Sequence, residues 1–257
     1  MININEFRDF VLFVMNKEGN GEEPSPAEFN RVADHALAEW TSIKLGNPRL
    51  YQPGRPIAPQ SIDITERVID DLRHLKETRE FLLAANIQAQ AGNPGRLFIP
   101  DGDEVDETDI NGLVPPEYMY FLRLDHVYQF TSGSTTQTAT REVRLKNTNQ
   151  ITNILTSLIA PPTNKRPVCE INDTYIQVYP TTINKVIFTY LRVPNTPVWG
   201  FTTQNNRPVY NAATSTDIDA PYINKNDIAM IYLKYQGIHL NDAQLAQFAN
   251  QMQQQGV

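Results

Sequence analysis

The chain has 257 residues, enough for one large domain or two modest ones with a buried core. Its formal net charge of −7 argues against a protein that grips nucleic-acid phosphates over a broad surface, although an acidic wall suits a conduit through which DNA slides. The single cysteine, Cys169, excludes an internal disulfide framework and reads as a buried strand residue.

The opening run, MININEFRDFVLFVMNK, carries Phe7, Phe10, Val11 and Val14 at helical spacing, which predicts an amphipathic helix. Glu6, Arg8 and Asp9 interrupt it early, and it has neither a basic leader nor a small-residue cleavage site. A signal peptide is not expected, and the run is too short and charged to span a bilayer. After the polar stretch Gly19 to Pro24, Ser25-Pro26-Ala27-Glu28 starts a second helix with a capping box and a first-turn proline. Phe29, Val32, Ala33, Ala36 and Trp40 line one face, and Gly46 with Asn47-Pro48 stops it. A proline-rich connection, Pro48 to Pro59, leads to a third helix expected around Asp63 to Leu75, where Ile62, Val68, Ile69, Leu72 and Leu75 approximate one stripe. Residues 1–99 are therefore read as an N-terminal helical region.

The acidic segment 100–113, PDGDEVDETDINGL, reads as a linker. Residues 114–214 read as a β-rich domain. Met119 to Phe130 is apolar and aromatic enough for a strand, whereas the tract Thr131 to Thr140, TSGSTTQTAT, reads as a flexible hairpin tip, with the return strand at Glu142 to Leu145. Ile151, Ile154, Leu155 and Leu158 recur at helical spacing before Pro161-Pro162. Two further strands follow, Thr174 to Tyr179 and Lys185 to Val193, joined through Pro180 to Asn184. Along the second, Ile187, Thr189, Leu191 and Val193 share one face, while Val186, Phe188, Tyr190 and Arg192 share the other. Both faces are largely apolar or aromatic, as in a strand covered on two sides or lying at a subunit contact. Pro194 and Pro197 lack N–H donors and end the ladder, and Trp199 packs as an anchor. Residues 215–257 return to helix. Ile228, Ile231, Tyr232 and Tyr235 form a stripe with Gly237 as C-cap, and a last helix runs from Asp242 to Met252, opened by Asn241 and Gln244.

The expected fold class is α+β, a helical bundle formed by the N- and C-terminal helices with an inserted antiparallel β domain. Short amphipathic helices are marginal alone and must bury their stripes against a partner.

No reaction-class signature is legible. His35, His74, His126 and His239 are scattered, without the spacing that puts two imidazoles on one metal. Ser132-Gly133-Ser134 lacks the strand–elbow–helix context of a nucleophile. The acidic run Asp101, Asp103, Glu104, Asp106, Glu107 and Asp109 has oxygens suited to calcium. Counting from Asp101, however, Asp106 occupies the loop position where an EF-hand needs glycine, so a solvated linker is the better reading. Asp70 and Asp71 point to different helix faces and form no dyad. Lys165-Arg166 is too small for a nucleic-acid patch and reads as solvated. No catalytic residue, cofactor or metal ligand is assigned, and the chain is not expected to be an enzyme.

Several short runs carry a resemblance. They begin with Ile4-Asn5-Glu6-Phe7, Glu18-Gly19, Ser25-Pro26-Ala27-Glu28-Phe29-Asn30, Gly46-Asn47-Pro48 and Pro53-Gly54-Arg55-Pro56. They continue with Pro161-Pro162-Thr163, Ile176-Gln177-Val178-Tyr179-Pro180, Tyr190-Leu191-Arg192-Val193-Pro194, Pro197-Val198-Trp199-Gly200, Ala220-Pro221 and Gly237-Ile238. Together they resemble the head-to-tail connector or neck-ring proteins of tailed bacteriophages, particularly those of Bacteroidetes phages including the crAss-like group. The acidic insert and the Ser/Thr tract lie outside that pattern.

The resemblance implies a homo-oligomeric ring at the head–tail junction of the virion, made in the host cytoplasm. Its partners would be the portal and other neck or tail proteins, with genomic DNA passing through without sequence-specific binding. Function in such proteins is carried by assembly surfaces, and Phe188, Tyr190, Arg192 and Trp199 are the expected interface residues. The rival reading is a carbohydrate- or receptor-binding β-module of a phage tail, with Tyr175, Tyr190 and Trp199 as a sugar platform, although strand aromatics more often serve as core.

Overall fold

The computed structural model describes residues 1–15, 23–45, 71–83, 94–102, 111, 113–132 and 135–239. The chain is α+β and divides into two units: residues 1–74 with 194–257, and residues 75–193, which lie between those two segments in sequence.

The described residues of the first unit form the α-helices α1 (Ile4–Val14), α2 (Pro26–Leu45) and α4 (Lys225–His239). Asn3 caps α1, its side-chain oxygen accepting from the N–H groups of Asn5 and Glu6, while Asp217 Oδ1 accepts from the Ile4 N–H at 3.0 Å. Three otherwise orphaned donors at the helix start are thereby satisfied, one of them by a residue distant in sequence. The capping box of α2 is formed: Ser25 N–H and Oγ–H both donate to Glu28 Oε2, at 2.9 and 2.8 Å. The buried stripe of α4 meets the other two helices through Tyr232, whose ring lies 5.9 Å from Phe7 and 5.4 Å from Phe29. Lys234 and Glu39 close the same helix pair with a 3.0 Å ion pair. Gly237 does not end α4, which continues to His239; the glycine is buried, where a missing side chain is tolerated.

Between Pro194 and Lys225 the first unit adds a small hairpin, β9 (Phe201–Gln204) and β10 (Arg207–Tyr210). Its two-residue turn is Asn205-Asn206, both at positive φ (49° and 59°), the conformation a tight hairpin needs and asparagine tolerates. Ile2 and Ile218 exchange backbone hydrogen bonds of 3.1 and 3.0 Å.

The described residues of the second unit form two four-stranded sheets. The first has the order β1 (Lys76–Leu82), β8 (Lys185–Arg192), β3 (Tyr118–Ser132), β4 (Thr135–Glu142). The second has the order β2 (Arg96–Phe98), β7 (Tyr175–Tyr179), β6 (Val168–Ile171), β5 (Arg144–Leu145). Leu124, Val186, Phe188 and Tyr190 of the first sheet and Leu97, Cys169, Ile176 and Val178 of the second join one buried cluster. The helix α3 (Thr148–Leu155) follows β5 and buries Ile151.

Four expectations need correction. The region 1–99 is not all helical, because Lys76–Leu82 and Arg96–Phe98 are strands. The first pairs along its length with β8, so partner strands decide a segment whose own pattern is weak. The β unit spans residues 75–193 rather than 114–214, and the hairpin at 201–210 belongs to the other unit. The sheets are not purely antiparallel, since β5 runs parallel to β6. The Thr131–Thr140 tract is not a flexible tip; apart from residues 133–134 it forms the end of β3 and most of β4. The expected helix at Asp63 to Leu75 falls mostly outside the described residues, and its end, Arg73–Leu75, is a single 3₁₀ turn. The expected helix at 242–252 and residues 103–110 of the acidic linker also lie outside them.

Candidate functional site

β8 is an inner strand of its sheet, flanked by β1 and β3 along most of its length. That position decides the fate of the expected interface residues. Phe188 and Tyr190 are fully buried. Their rings stack at 4.9 Å, and Phe188 also meets Tyr118, Phe121 and Phe81 within 6.5 Å. The Tyr190 hydroxyl donates to the Pro116 carbonyl at 2.8 Å, the partner a buried phenol requires. Arg192 is half-buried and donates from Nη1 to the Val193 carbonyl.

Trp199 is 3% exposed. Its indole N–H donates to Asn5 Oδ1 at 3.0 Å, its backbone N–H to Asn30 Oδ1 at 2.8 Å, and Phe201 stacks on it at 6.1 Å. The three aromatics therefore serve the interior of their own units and present no anchor to a partner. For the same reason Tyr190 and Trp199 offer no sugar platform. Tyr175 is half-buried beneath the Arg96 guanidinium, which lies 4.2 Å from its ring centre. Alternation alone cannot tell a face covered by a second sheet from one covered by another subunit.

The polar residues read for chemistry are also placed. His74 Nε2 lies 2.7 Å from the Asp219 carbonyl, and His126 Nδ1 lies 3.3 Å from that of Lys185. Burial holds the His126 pKa below the usual imidazole range, against a smaller upward pull from the Lys185 carbonyl. Cys169 is fully buried; that burial first, and Glu170 second, push its thiol up to about 12, so it is no nucleophile at neutral pH. Asp71 pairs with Lys44 at 2.8 Å. Among the described residues no group of three His, Cys, Asp or Glu side chains could hold a metal ion, and no helix is long and apolar enough to cross a membrane.

What the second unit offers instead is surface. β3 pairs with β8 only from Tyr118 to His126, but with β4 from Asp125 to Ser132. Residues Val127–Ser132 and their partners thus form a two-stranded ribbon that extends about 20 Å beyond the four-stranded sheet, at 3.4 Å per residue. Among the described residues β4 is the edge strand of this sheet. A second exposed feature follows α3, where Leu158 and Ile159 are 99% and 96% exposed. Arg144, Lys146 and Arg166 border a groove of about 260 Å³ that Ile154, Ala160 and Pro161 also line. Neither the ribbon nor this groove was found by sequence reasoning. The ribbon lacks apolar alternation, and the groove joins residues distant in sequence.

Compared with known proteins, the chain matches no family model and no curated protein.

Proposed function

We propose that this chain is a structural virion protein, a head–tail connector subunit that forms a homo-oligomeric ring between portal and tail and helps retain or pass the genome. The observation that carries the reading is the β3–β4 ribbon. Among the described residues β4 pairs with β3 alone, which leaves one edge of the strand unpaired, and such an edge is a ready template for another chain. The ribbon carries Thr135, Thr136, Thr138 and Thr140, β-branched residues that favour extended pairing while leaving the free subunit polar. The resemblance of the short motifs supports the same reading, and the net charge of −7 suits a channel wall that does not hold DNA.

In this reading α1, α2 and α4 are the bundle formed by the N- and C-terminal helices, with Tyr232 between Phe7 and Phe29 as its centre. The β unit is the inserted, largely antiparallel domain that carries the assembly surfaces. Portal and other neck or tail proteins are the heterologous partners, no membrane is involved, and no reaction is catalysed.

Labelling of purified particles with an antibody or tag on this chain tests the proposal. Label at the head–tail junction is the expected result. Label confined to fibre tips would make it a receptor-binding module and end the connector reading.

A further inference from the structure

Leu158 and Ile159 are the most exposed large apolar side chains among the described residues. They sit on a hydrogen-bonded turn: the Ser157 hydroxyl oxygen accepts from the N–H groups of Ile159 and Ala160, at 3.4 and 3.2 Å. Ile154, Ala160 and Pro161, on either side of them in sequence, line the groove that Arg144, Lys146 and Arg166 border. None of these three cations has a carboxylate partner within 4.0 Å among the described residues. The turn is thus an apolar knob with a basic rim. Two branched side chains held in water gain by burial against a partner.

A complementary surface stands at the other end of β6. Val168, where β6 begins, lines the groove beside the knob. Beyond Ile171, where β6 ends, Asp173 and Thr174 line a second open cavity, of about 360 Å³. Phe98, Ile99 and Tyr118 give that cavity apolar walls, and the exposed residues Asp101, Glu117 and Asp173 give it an acidic rim. Backbone bonds hold the walls in place: Ile99 N–H donates to the Thr174 carbonyl at 3.0 Å, and Tyr118 N–H to the Pro100 carbonyl at 2.8 Å. The volume lies within the range of clefts that accept a ligand, about 300–1,000 Å³. Knob and cavity match in both respects, apolar against apolar and basic rim against acidic rim. They do not meet within one subunit, where Leu158 and Ile159 stand in solvent.

We propose that the Leu158–Ile159 knob of one copy docks in the Phe98–Tyr118 cavity of the next. Knob and cavity are different patches of the same chain, so the contact is heterologous. Each added copy offers a fresh cavity or knob, and the series closes into a ring when the rotation permits. The inference rests on self-assembly in the connector reading, though not on location in the particle.

Disulfide trapping on the full chain is the test. Leu158→Cys and Thr174→Cys are made singly; both positions are exposed, and the buried Cys169 does not compete. Mixed in equal amounts under mild oxidation, the two variants are expected to form the 158–174 heterodimer at least about tenfold faster than either forms a homodimer. Raised salt, or Glu117→Lys added to the cavity variant, is expected to slow trapping by about threefold or more. Should the lysine variant lose its far-ultraviolet dichroism, Arg166→Glu in the knob variant replaces it. Heterodimers no more frequent than chance pairing gives, or trapping indifferent to both salt and charge reversal, overturn the proposal. So does sedimentation of the chain with phosphatidylserine vesicles that Leu158→Asp abolishes, which would make an anionic lipid surface the occupant. Because trapping is done on free subunits, its failure leaves the particle-labelling result standing, and a fibre-tip location leaves positive trapping standing.

Discussion

The Arg8 guanidinium lies 4.4 Å from the centre of the Trp199 ring, and the same arginine pairs through Nη2 with Glu23 at 2.9 Å. With Asn5 accepting the indole N–H, two residues of α1 hold Trp199 from different sides. Trp199→Ala is expected to cost about 4 kcal/mol, from the lost burial and the cavity left behind. Trp199→Phe keeps most of the burial and forfeits the hydrogen bond to Asn5, for about 1–2 kcal/mol. Urea denaturation of both variants checks the ranking; equal costs would mean that the hydrogen bond, not the ring, dominates.

Gly200 is expected to be intolerant of even one added carbon. A Cβ there would meet the Thr214 carbonyl oxygen and carbon at 2.6 Å, backbone atoms that cannot swing aside. The neighbouring bonds fix the approach, since Gly200 N–H donates to Ser215 Oγ and its carbonyl accepts from Asn211 N–H. Gly200→Ala is expected to destabilise by about 2 kcal/mol, as other overpacking changes do, with a lower thermal midpoint as the readout. A midpoint unchanged from the parent would count against this geometry.

Cys169 is expected to resist thiol reagents in the native protein at about pH 8, where a free cysteine reacts readily. Its burial and its raised thiol pKa of about 12 act in the same direction. Labelling with a chromogenic disulfide should therefore follow unfolding by denaturant. Rapid stoichiometric labelling before the unfolding transition would contradict the buried placement.

His126 should make the fold sensitive to acid. Burial lowers its folded pKa from the ordinary 6.5, so the unfolded chain binds a proton more readily than the folded one. The contribution is complete above the unfolded value and is lost as pH falls through the lower, folded value. His126→Asn, whose side-chain amide can donate to the Lys185 carbonyl from the position of Nδ1, should flatten the stability difference between about pH 7.5 and about pH 5. Parallel urea curves with the same pH slope in both proteins would remove His126 as the cause.

Local signals were readable where one short stretch carries them. The Ser25–Glu28 capping box and the α1 stripe through Phe7 and Val11 lie within single turns, and both are present. β7 and β8 were legible because alternation in each meets a packed sheet. The signal failed where the partner determines the structure. β1 has one fully covered residue, Phe81, and takes its conformation from pairing with β8. β4 has exposed threonines and no apolar period, so a ribbon strand looks like a loop. The groove cations were invisible for another reason. Lys165-Arg166 was judged as an isolated pair, and only the parallel β5–β6 register brings Arg144 and Lys146 to it.

The β unit begins and ends on neighbouring strands, with Lys76 opposite Leu191 in the β1–β8 register. At that register the entering and leaving strands of the unit stand one strand spacing apart, about 5 Å. A tight turn of a few residues could bridge that gap. The unit is thus a cassette: it could be exchanged for another, or lost, with no need to stretch the chain of the helical unit that hosts it. Such an exchange would leave the core of the helical unit, with Tyr232 between Phe7 and Phe29, as it is.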